Sequence, residues 1–114
     1  MERARWRGCA VVLFTVLVAP AMALAADPAA GRKKAGRCAA CHGLDGLAKI
    51  PNAPHIGGES EFYLTKQLKA FRAGERKDPQ MSLMAKNLSD DDIADLAAYY
   101  SRIELTAKIP ETLR

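Results

Sequence analysis

Two thiols and an imidazole stand within five residues, in Cys38-Ala39-Ala40-Cys41-His42. On a helix, residues three apart share a face, so Cys38 and Cys41 can each form a thioether with a vinyl group of one haem. His42 then offers a neutral nitrogen to the iron, tied to the chain one residue from a covalent anchor. The chemistry such a site serves is electron transfer. Three other uses of these residues compete with that one. A thioredoxin-like dithiol needs a βαβ context, and the residues after Cys41 are rich in Gly, Pro and Asn rather than strand-like. Structural zinc could draw on Cys38, Cys41, His42 and His55, but adjacent Cys41 and His42 rarely close on one tetrahedral ion without backbone strain. The third is a disulfide between Cys38 and Cys41 beside an incidental histidine.

A six-coordinate iron needs a second axial ligand. Of four methionines, Met1 and Met22 fall in the N-terminal segment, leaving Met81 and Met84. Both lie far from His42 in sequence, where a connecting segment could bring a sulfur to the other face of the haem. A thioether ligand raises the potential, as suits an electron carrier. Position alone does not separate Met81 from Met84, and it leaves open that both fill the core or that His55 ligates instead.

The elements that must place these groups read as helices. Asp27 followed by Pro28 fits an N-cap and first helical position, opening a helix that runs through about Arg37 into the thiol motif. Gly31 inside it is costly unless another helix crosses closely there. The segment 43–58 contains four Gly and two Pro, a long irregular stretch expected to cover one face of a cofactor. Ser60 caps a second helix through about Ala73, with Leu64, Leu68 and Phe71 on its apolar face and Gly74 as its stop. Residues 75–80 read as a polar turn leading to Met81. Ser89 begins the last helix, with Asp92 as its capping-box partner and Ile93, Leu96, Ala97 and Tyr100 on one stripe. Tyr99 or Tyr100 facing Gly31 would make the close crossing. The expected fold is all-α, with three to four helices around one haem.

Composition bounds the compartment and the domain count. Residues 1–25 read as a secretory signal: Arg3, Arg5 and Arg7, an apolar centre from Ala10 to Ala19, then Ala23-Leu24-Ala25 as a small-x-small cleavage pattern. The cut is placed between Ala25 and Ala26, with one residue later as the alternative. A retained anchor is disfavoured because the apolar run is about ten residues, well short of the roughly 20 that span a bilayer. Residues 26–114 form one domain of 89 residues, too small to have much core without its cofactor. The signal removes three Arg and one Glu, so 14 basic and 12 acidic side chains remain. That near balance, with only the short cluster Arg32-Lys33-Lys34 and no interleaved aromatics, argues against nucleic-acid binding.

From about Asp27 to Arg102 the chain resembles the class I c-type cytochromes, especially the small bacterial periplasmic proteins whose dihaem members carry two such domains in tandem. The resemblance rests on Gly31 seven residues before Cys38, the run Cys38-x-x-Cys41-His42-Gly43-x-Asp45-Gly46, Pro51-Asn52-x-Pro54-x-x-Gly57 and Tyr63-Leu64-x-Lys66-Gln67-Leu68. Met81-x-x-Met84, Leu88-Ser89-Asp90-x-Asp92 and Ala97-Ala98-Tyr99-Tyr100 complete it. It implies that Cys38 and Cys41 bear the haem, that His42 and Met81 are the axial ligands, and that the Pro51 carbonyl accepts the imidazole N–H, with Pro54 as a substitute. One C-x-x-C-H implies one haem c per chain. The implied function is that of a periplasmic electron carrier and not an enzyme. Its partners would be a dehydrogenase, an oxidase or a membrane quinol-oxidising complex, and the alternative is a haem subunit of a larger complex.

Overall fold

The computed structural model describes residues 25–114, so the signal segment expected over residues 1–25 lies, apart from Ala25, outside the described residues. Five α-helices follow in order: α1 Pro28–Lys34, α2 Ala39–His42, α3 Glu61–Ala73, α4 Pro79–Ala85 and α5 Asp90–Ser101. A 3₁₀ turn, Ala35–Arg37, joins α1 to α2, and no strand occurs among the described residues. Among them, no helix is long and apolar enough to cross a membrane.

Capping chemistry sets the helix ends. The Asp27 carboxylate accepts from Ala29 N–H, with Pro28 at the first helical position. Ser60 accepts from Tyr63 N–H to open α3, and Gly74, at φ 76°, closes it in the left-handed conformation. At α5 the Ser89 hydroxyl accepts from Asp92 N–H while the Asp92 carboxylate accepts from Ser89 N–H, the reciprocal box expected from the sequence.

The connection to Met81 departs from expectation. Residues 79–85 are helical, not the end of a turn, and α4 carries both methionines. Asp78 caps it through Gln80 N–H and Met81 N–H, and Pro79 occupies its first turn. The Asp-Pro pair that marks α1 thus recurs here, and the short polar run before it obscured the signal.

α5 is the spine of the domain, packing against α1 on one side and α3 on the other, while α4 packs on α3. Its stripe of Ile93, Leu96, Ala97 and Tyr100 is buried, as are Leu64 and Phe71 of α3. Gly31 lies at the α1–α5 crossing. A Cβ there would sit 1.9 Å from the Asp95 carbonyl oxygen and 2.8 Å from Tyr99 Cβ, so only glycine lets the helices approach this closely. Beside the crossing, Asp27 N–H donates to Asp95 Oδ1 at 2.7 Å, and Lys34 Nζ bridges Asp92 at 2.8 Å and Asp95 at 2.7 Å. These carboxylates hold the Lys34 ammonium well above the usual lysine range, and Lys34 with the Ser89 contacts draws Asp92 down to about 2.

Candidate haem site

α2 is a single turn of helix, and its geometry is that of a presented motif. His42 N–H and Cys41 N–H both bond the Cys38 carbonyl, at 2.9 and 3.2 Å. Cys38, Cys41 and His42 therefore share one turn, and all three line a cavity of about 750 Å³. Its remaining walls come from segment 52–56, α3, α4 and α5, with Leu64, Leu68, Phe71, Leu96 and Ala97 supplying apolar surface. Cavities of this size and lining suit a large flat organic group.

His42 is 6 % exposed, and its Nδ1 lies 2.9 Å from the Pro54 carbonyl oxygen. A carbonyl can only accept, so Nδ1 carries the proton and donates it. Neutral imidazole in that tautomer keeps its free lone pair on Nε2, which is not a sealed, unpartnered atom, since the described residues contain no buried side-chain nitrogen or oxygen without a partner. One backbone contact thereby leaves Nε2 as the ring nitrogen with a lone pair to offer.

That contact corrects one expectation. Pro54, rather than Pro51, supplies the carbonyl. Pro51 lies in an exposed turn, where Ala53 N–H donates to the Ile50 carbonyl at 3.3 Å, and it is absent from the cavity wall. The chain turns inward only afterwards, when Ile56 N–H and Gly57 N–H both reach the Gly46 carbonyl at 2.8 and 3.1 Å. Gly46, at φ 70°, has no room for a side chain: a Cβ would meet the Gly57 backbone at 2.3 Å. That closure swings Pro54 against His42.

The other histidine has the opposite arrangement. Ala48 N–H donates to His55 Nδ1 at 2.8 Å, so the neutral ring carries its proton on Nε2 and has no lone pair left for a metal. Among the described residues no three His, Cys, Asp or Glu side chains are grouped to hold an ion. Cys38 and Cys41 are free thiols, and burial pushes the Cys38 thiol up, away from the thiolate that a dithiol redox centre requires.

Met81 and Met84 both line the cavity and are half-buried, while Leu83 between them is 70 % exposed. Two contacts that the sequence did not reveal fix the segment leaving His42. Tyr100 Oη–H donates to the Gly43 carbonyl at 3.1 Å, and Tyr99 Oη–H donates to the Leu44 carbonyl at 2.7 Å. Burial pushes the Tyr100 phenol up, so it remains a donor. Nothing local in the sequence pairs these tyrosines with carbonyls more than fifty residues away.

Beside His55, Glu59, Asp78 and Asp92, the cavity wall includes two thiols, the His42 imidazole and two thioethers. The thiols, imidazole and thioethers suit a haem attached through Cys38 and Cys41 and ligated by nitrogen and sulfur.

Residues 28–102 match the Cytochrome c family. Cytochrome c-554(548) of Halomonas halodenitrificans is 51% identical over 83 residues, covering 70% of this chain and 100% of that protein. A thiosulfate dehydrogenase electron acceptor of Thiomonas intermedia is 40% identical over 91 residues, covering 79% of this chain and 40% of that one. The structure of reduced recombinant cytochrome c4 from Pseudomonas stutzeri aligns with a TM-score of 0.66 at 42% identity, covering 70% of this chain and 47% of that chain. The chain thus spans less than half of the last two.

Proposed function

Because this chain belongs to the cytochrome c family and its role is electron transfer, we propose that it is an exported carrier holding one haem c between His42 and Met81. Cys38 and Cys41 form the two thioether links, and residues 1–25 are removed on export to the periplasm. The observation that carries the reading is the His42 tautomer: Nδ1–H is committed to the Pro54 carbonyl, and the Nε2 lone pair is kept for the cavity that both cysteines and Met81 line.

When bound, haem c supplies a one-electron ferric–ferrous couple. The protein's part is positional. The Pro54 carbonyl holds the imidazole in one orientation in both oxidation states, and Asp78 pins the start of α4 through Met81 N–H. The apolar side chains of α3 and α5 limit water access, which favours the less charged form. Met81 takes the ligand role over Met84 because the family resemblance assigns it to the first methionine of the pair.

A pyridine haemochrome spectrum of the exported protein tests attachment, with one c-type haem per chain expected. A colourless, folded, zinc-containing product would refute the proposal. Met81→Ala should abolish the methionine-to-iron charge-transfer band and open the reduced protein to carbon monoxide, whereas Met84→Ala should do neither.

A second reading is that the chain serves as the haem subunit of a larger dehydrogenase or oxidase. The similarity to a thiosulfate dehydrogenase electron acceptor supports it. Co-purification with a catalytic subunit separates the two readings.

A further inference from the structure

A second cavity, of about 300 Å³, lies between the start of α1 and the N-terminal half of α5. Its wall includes Ala25 and Ala26, the two residues that flank the expected signal cut. The charged groups facing it are Asp27 and Lys34 from α1 with Asp91 and Asp95 from α5, three carboxylates against one ammonium. Lys34 is already committed to Asp95 and Asp92, and Asp95 Oδ1 also accepts from Asp27 N–H. The Asp91 carboxylate has no hydrogen bond or ion pair among the described residues. In the uncut chain the Ala26 nitrogen is a neutral amide; cutting between Ala25 and Ala26 turns it into an ammonium at the edge of this acidic cleft.

We propose that signal removal supplies the missing cation: the new Ala26 α-ammonium pairs with Asp91 and Asp95 and fastens α1 to α5 in the mature protein. The inference rests on the processing site proposed above. The positive end of the α1 dipole opposes a cation there, and Asp27, Asp91 and Asp95 together outweigh it. Processing and fold stability are thereby coupled, because α1 leads directly into the turn that bears Cys38, Cys41 and His42. The pairing raises the folded-state value of the amine above its unfolded value, so its stabilisation is complete below about pH 8 and is lost as pH rises through the folded value.

The test uses the exported holoprotein. Mass spectrometry reads the N-terminus, and NMR of the isotopically dimethylated amine reads its titration in the native protein, in Asp91→Asn and in a chain with Gly-Ser inserted between Ala25 and Ala26. The expected results are an Ala26 start, an amine titrating about one unit or more above an ordinary α-amino group, a smaller elevation in Asp91→Asn, where Asp95 remains, and a return to ordinary titration in the insertion variant. An N-terminus at any other residue overturns the processing site and the proposal together. An Ala26 amine that titrates ordinarily, or that Asp91→Asn leaves unshifted, overturns the pairing alone.

Discussion

Gly31→Ala tests the helix crossing on which the haem site is mounted. The added methyl group would lie 1.9 Å from the Asp95 carbonyl oxygen, where ordinary contact begins at 3.4 Å, a shortfall of about 1.5 Å. The obstruction is backbone on a central helix, so no rotamer change relieves it and α1 must back away. Overpacking costs typically about 1–3 kcal/mol, and a backbone clash of this size belongs at the upper end. Alanine returns about 1 kcal/mol through helix propensity, leaving a net loss of about 2 kcal/mol. For a domain of this size that lowers Tm by roughly 8–16 °C. Thermal unfolding of the ferric holoprotein, followed by far-ultraviolet circular dichroism and by the Soret band, measures it. Gly36→Ala is the matched control, since a Cβ at Gly36 meets nothing within 4 Å, and it should leave Tm unchanged or slightly raised. Equal Tm values for the two variants would refute the crossing as the reason for glycine at position 31.

Three further outcomes are expected. Asp78→Ala removes the cap of α4, costing about 1 kcal/mol, and should loosen Met81 enough to speed carbon monoxide binding to the reduced protein in stopped-flow measurements. Tyr100→Phe leaves the Gly43 carbonyl only the 3.3 Å bond from Gly46 N–H and should cost about 1 kcal/mol in a denaturant titration, with the absorption spectrum retained. Acid should weaken the α1–α5 junction: the folded-state value of Asp92 lies at about 2 against an ordinary 3.8, so its contribution is complete above the ordinary value and lost as pH falls through about 2. Asp92→Asn should flatten that part of the Tm profile.

What could be read from the sequence was what depends on neighbours in the chain. Cys38, Cys41 and His42 lie within one helical turn, so their spacing pointed to an attached haem, with zinc and a disulfide as the local alternatives. Asp27, Ser60, Gly74 and Ser89 mark helix ends because capping bonds reach only two or three residues. Gly31 announced a close crossing through its cost to a helix, and the structure identifies the contact as Asp95 and Tyr99. Only the tertiary structure decided which carbonyl serves His42, which histidine keeps a free lone pair, and which carbonyls Tyr99 and Tyr100 hold. Each of these depends on how segment 43–58 closes at Gly46 and returns against α2. Pro51 and Pro54 offer identical acceptors to any local reading, and the long-range fold brings only the second one to the imidazole.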